Sequence, residues 1–203
     1  DLAYSTSTGL LPHVPVCLEF SLAILQDRNQ DLRIRDSAAL VIATTAEAKP
    51  KTLGKRPQLL SKILDVLFQL MQDSPESAAG ALLENNPAWR DDDEDDDYVD
   101  EAPTETGMAQ GTLDMIACEV PTKFVWNIVY PKCMERMVSE NPAARKAGVA
   151  GLGVIAEGCA EPLTENLAAA LDCVFRMAND HSPQVRECAC FCLGHMSEHC
   201  QPD

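Results

Sequence analysis

Apolar positions recur at helical spacing in eight stretches of this chain, separated by short polar or Pro-containing connections. The stretches fall into four pairs. The first helices are predicted over about 11–26, 58–72, 123–138 and 161–178, and the second over about 33–48, 107–119, 143–157 and 183–199. Pro142 and Pro183 stand at second-helix starts, where a missing N–H costs nothing. Ala147, Gly148, Gly151 and Gly153 crowd one helix with small residues. Glycine is a poor helix former, so close packing against neighbours has to override propensity there.

The pairs are copies of one unit. Segments 35–47, 145–157 and 186–198 align without gaps. Ile42, Leu152 and Leu193 share one position, and Ala43, Gly153 and Gly194 the next. Glu47, Glu157 and Glu198 each follow an arginine by twelve residues. Arg145 and Arg186 are 41 residues apart, within the range of helical-hairpin repeats. One hairpin cannot bury its apolar face alone; stacked neighbours supply the core. The expected organisation is a single array over 1–203, with units near 11–50, 55–120, 122–159 and 161–200. The second unit is long because it carries an insertion at 84–106.

Charge singles out that insertion. The chain has a net charge of −16, and 84–106 alone contributes −10 from eleven acids and one base. Seven consecutive acids, Asp91, Asp92, Asp93, Glu94, Asp95, Asp96 and Asp97, follow Trp89 and cannot pack in a core. A polyanion attracts basic tails through salt-sensitive, long-range forces, and Trp89 adds a cation–π face. The alternative is a solubilising spacer. Direct nucleic-acid binding is not expected without a basic face. No leader precedes Leu10, and no apolar run approaches the roughly 18 residues of a membrane span. The chain is therefore expected to be soluble and not to bind membranes.

Aromatic residues make up only 5% of the sequence, which suits helix-on-helix packing better than sheets. Among the nine cysteines, Cys17, Cys118, Cys133, Cys159, Cys173 and Cys188 lie in apolar helical patterns and read as small buried hydrophobes rather than disulfide partners.

Asp180, six residues before Arg186, completes the turn pattern of a HEAT repeat. The chain thus resembles an all-α HEAT/armadillo-like solenoid, a right-handed α-α superhelix. That resemblance gives Arg35, Arg145, Asp180 and Arg186 structural roles in the turns and in a ladder between units. Asn29 and Ser139 stand where an aspartate would precede Arg35 and Arg145, which leaves those units' place in the ladder open. An acidic loop inside one repeat, the stretch 113–117 after it and 155–159 in the next unit together resemble the importin β (karyopherin β) family of nuclear transport receptors. The resemblance implies a non-enzymatic carrier without cofactor, shuttling between cytoplasm and nucleus. It would bind basic cargo such as histones or ribosomal proteins, release it to Ran-GTP, and have nucleoporins as further partners. The acidic loop is the first candidate site. Glu47, Glu157 and Glu198, repeated along the second helices, form a second acidic row. The alternative is a HEAT scaffold of a phosphatase or chromosome-organising complex.

Other constellations carry less. Cys188, Cys192, His195 and His199 form a stripe on one helix, which cannot wrap four ligands around zinc. The run 91–97 lacks the glycine turn and spaced glutamate of a calcium loop. Lys49, Lys51, Lys55 and Arg56 make a small basic cluster, read as a solvated connection that could also meet the acidic loop or a partner. No phosphate-binding loop or nucleophile elbow is present.

Overall fold

The computed structural model describes residues 11–75 and 103–201. A 3₁₀ turn, Leu11–His13, leads into α1 (Val14–Gln26), followed by α2 (Leu32–Ala48), α3 (Pro50–Gly54) and α4 (Pro57–Asp73). After the acidic segment come α5 (Glu105–Glu119), α6 (Thr122–Met137), α7 (Pro142–Val154), α8 (Ala160–Glu165), α9 (Leu167–Ala178) and α10 (Pro183–His199). No strand occurs among the described residues.

Local chemistry sets the boundaries. Pro50, Pro57, Pro142 and Pro183 open their helices. Asp31, Asn141 and Thr104 accept first-turn N–H groups at the starts of α2, α7 and α5. Two expectations change. The connection after α2 is not wholly solvated, because α3 winds one turn there and buries Leu53 completely. The helix foreseen over 161–178 breaks at Asn166, whose side-chain amide donates to the Pro162 carbonyl and separates α8 from α9.

Four hairpins stack: α1 with α2, α4 with α5, α6 with α7, and α9 with α10. The second helices form a closely packed inner layer, with α2 against α5 and α7 against α10, while the first helices touch one another lightly. Between the second and third units the main contact is α4 on α7 rather than α5 on α7. Phe68 of α4, fully buried, lies against Gly151, where a Cβ would come within 2.4 Å of its ring. The Arg136 guanidinium covers the same ring at 4.5 Å. A Cβ at Gly148 would come within 2.9 Å of the Cys133 carbonyl oxygen in the backbone of α6. The small residues of α7 therefore allow a helix that is almost entirely buried. Even Lys146 is 2% exposed and donates to the Ser74 carbonyl at 2.6 Å.

Candidate functional site

Trp89 and Asp91–97 lie outside the described residues. The second candidate, the acidic row, can be placed. Glu47, Glu157 and Glu198 are exposed, at the C-terminal ends of α2 and α10 and in the turn after α7. The unit between α2 and α7 has no glutamate at this position. Leu113, buried like Ile42 and Leu152, sets the register, and five residues on stands Cys118. Asp114, one turn earlier on α5, supplies the carboxylate.

Asp114, Cys118 and Glu157 meet, with their oxygen and sulfur atoms within 4.8 Å of one another. Glu157 reaches them because its neighbour Gly158 lies against the C-terminal backbone of α5. On the other side Glu157 acts on His195, together with Glu198, whose carboxylate lies 3.9 Å from His199. The row therefore runs as a mixed strip from α5 across the α7 turn to α10, with two histidines in it. Glu47 holds the corresponding repeat position on α2.

The electrostatics follow from crowding. Burial, then the charge of Glu157, raises Asp114 above its ordinary value, opposed by His199. Although Cys118 is exposed as a residue, partial burial of its thiol pushes it up to about 12, reinforced by Asp114 and Glu157. Burial, then His199, lowers His195, against the pull of Glu198 and Glu157. Cys118 donates its S–H toward Asp114 at 3.7 Å. A thiol held protonated is a poor metal ligand and a poor nucleophile. Iodoacetamide at pH 8 should therefore modify Cys118 about a hundredfold more slowly than a free cysteine. Mass mapping of the alkylated peptides would show this, and a rate matching free cysteine would contradict it.

The structure corrects one reading here: Cys17 and Cys118 are exposed, whereas Cys133, Cys159, Cys173 and Cys188 are buried. All nine cysteines are free thiols. Cys188 and Cys192 point into the core, with Cys192 toward the Met196 sulfur at 3.7 Å, while the His195 ring lies tilted against Phe191, centroids 4.2 Å apart.

The arginines lie elsewhere. Arg145 grips Asp180 of the next unit through two bonds of 2.6 and 2.9 Å, and also donates to the Ser139 and Glu140 carbonyls of its own turn. Arg186 repeats the second pattern on the Asp180 and His181 carbonyls. Arg35, 4% exposed, pairs with Glu105 at the start of α5 and donates to the Leu25 carbonyl. Arg35 and Arg145 thus each take their acid from the following unit. Residues 29 and 139 of the arginine's own unit do not decide it.

A HEAT-like repeat family model matches residues 142–196. Importin-4 of Mus musculus is 32% identical over 197 residues, covering 94% of this chain and 17% of the mouse protein. Importin-4 of Homo sapiens is 28% identical over 100% of this chain and 18% of its own length. Crystal structures of Kap121p bound to Pho4p, RanGTP and Nup53p superpose with TM-scores of 0.76, 0.74 and 0.75 at 20% identity. They cover 95% of this chain and 18% of theirs, and show the shared fold. The chain therefore spans less than a fifth of the length of these relatives. Stacked hairpins joined by arginine–acid pairs, and likeness to importin-4 along nearly every residue, lead to one assignment: this chain belongs to the importin β family of HEAT-repeat proteins.

Proposed function

We propose that this chain is a section of a nuclear import receptor, shuttling between cytoplasm and nucleus, that holds basic cargo and gives it up to Ran-GTP. The observation that carries this is the identity to importin-4 along 94% of the chain. The Kap121p complexes with Pho4p, RanGTP and Nup53p supply the kinds of partner: a cargo, the GTPase and a nucleoporin. Charge supports basic cargo in particular. The acidic run 91–97 and the strip of Asp114, Glu157 and Glu198 offer carboxylates to Lys and Arg side chains. The role needs no catalytic group and no cofactor.

Changing Asp91, Asp92, Asp93, Asp95, Asp96 and Asp97 to Asn removes six charges with little change of shape. Affinity for a labelled histone-type basic tail should fall about tenfold at low salt, and the loss should shrink as salt rises. Glu157→Gln with Glu198→Gln tests the strip separately and should cost about threefold. Trp89→Ala should leave a deficit that persists in salt. Unchanged tail binding by all three variants at every salt concentration, with Ran-GTP failing to displace the tail, would favour the scaffold alternative.

A further inference from the structure

The strongest unassigned feature is a basic corner on this acidic chain. Two adjacent hollows lie where α3 meets α4. One is lined by Lys55, Arg56 and Lys62 with Glu19 of α1 at its side, and the other by Lys51, Lys55 and Arg56. Lys55 and Arg56 belong to both, so the hollows form one continuous depression. Its cations are exposed, and among the described residues neither they nor Glu19 enter an ion pair. The backbone beneath is fixed. Leu53 and Leu60 are fully buried, and Gly54 sits so close to Phe124 of α6 that a Cβ would lie 2.5 Å from its ring. The 17-residue helix α4 begins at this corner without a side-chain cap, which adds the positive end of its dipole.

We infer that this corner, formed by Lys51, Lys55, Arg56 and Lys62, is a docking site for an acidic peptide segment. Four cations held on a rigid corner, without an ion pair among the described residues, match a ligand carrying several carboxylates. The lining runs from Lys51 on α3 to Lys62 in the second turn of α4, offering several cations to a multivalent peptide rather than one to a single phosphate. Pro15, Pro57 and the edge of Leu59 give it an apolar floor for the peptide's uncharged side chains. Glu19 weighs against the uniform charge of a nucleic-acid backbone. A peptide that alternates acids with apolar residues can place a neutral position beside Glu19. The site is separate from the acidic strip and does not depend on the transport reading.

The test is fluorescence anisotropy of a labelled peptide alternating Asp or Glu with Leu, titrated with the whole chain at low salt. The intact chain should bind it, more weakly as salt is added, and should ignore the same peptide made with Asn and Gln. Lys55→Glu with Arg56→Glu should weaken binding about tenfold or more, with an unchanged circular dichroism spectrum. Lys51→Gln with Lys62→Gln, both on the surface, should weaken it less, about threefold. No binding by the intact chain, or equal binding by the Lys55/Arg56 variant, overturns the assignment. So does displacement of the peptide by inorganic phosphate, or tighter binding of a single-stranded oligonucleotide.

Discussion

Replacing Gly158 with alanine is expected to lower the unfolding free energy by about 3 kcal/mol, a large share of a domain's margin. The cause is contact, since no described glycine has a positive φ. A Cβ at this position would lie 2.2 Å from the Ala117 carbonyl carbon and 2.5 Å from the Cys118 nitrogen. Those atoms belong to the backbone at the end of α5, and they cannot rotate away as a side chain could. The turn after α7 would have to lift, losing the bond in which the Thr122 hydroxyl donates to the Gly158 carbonyl at 3.3 Å. It would also draw Glu157 away from Asp114 and Cys118. A urea titration followed by circular dichroism should show a lower midpoint. Alkylation of Cys118 should speed up in the same variant, because a neighbouring charge is withdrawn. An unchanged midpoint would mean that the turn can shift freely. Gly194 is a built-in control: nothing lies within 4 Å of its Cβ position, so Gly194→Ala should be neutral or mildly stabilising.

Asp180→Ala should cost about 2–3 kcal/mol, because it leaves the largely buried Arg145 without its acid. Asp180 receives both Arg145 bonds and also accepts the Ser182 N–H at 2.8 Å, so one carboxylate joins two units and braces the turn before α10. A double-mutant cycle with Arg145→Ala should give a coupling of about 1–3 kcal/mol. The pair also makes a pH signature. The Arg145 bond, with help from the Ser182 N–H, holds Asp180 below its ordinary value. Its stabilisation is therefore fully present above the unfolded carboxylate pKa of about 4, and is lost as pH falls through the lower folded value. Asp180→Asn should be less stable at neutral pH and show a shallower loss of stability in acid. An acid profile parallel to that of the original chain would show that the pair contributes nothing.

Much of this architecture could be read from residues alone, and the failures have physical causes. Pro142 and Pro183 announced helix starts, and the small residues of α7 announced close packing, because both signals are local. The ladder was harder to read. Looking six residues before Arg145 finds Ser139, but the acid that matters is 35 residues ahead, in the next unit. For Arg35 it is Glu105, 70 residues ahead at the far end of the insertion. Pairing of this kind belongs to stacking, which sequence spacing does not encode. Cys118 was misread because an apolar helical pattern does not say which stripe meets solvent. Asp114 was passed over because its unit breaks the twelve-residue rule that exposed Glu47, Glu157 and Glu198. The α3 turn was read as a solvated link, and its buried Leu53 is a single apolar residue among charges, too little for a periodic signal.

The unequal packing of the two layers makes the chain an anisotropic spring. The second helices are pressed together at α2–α5 and at α7–α10, and α4 clamps α7 between them, so changing spacing along that line would break dense contacts. Outer helices share few contacts and can slide apart with little loss. Bending should therefore pivot on the inner layer and be taken up outside, changing the curvature of the strip that carries Asp114, Glu157 and Glu198 without dismantling it. A ligand spanning several units would feel this compliance as a surface that tightens or opens around it while each carboxylate keeps its own neighbours.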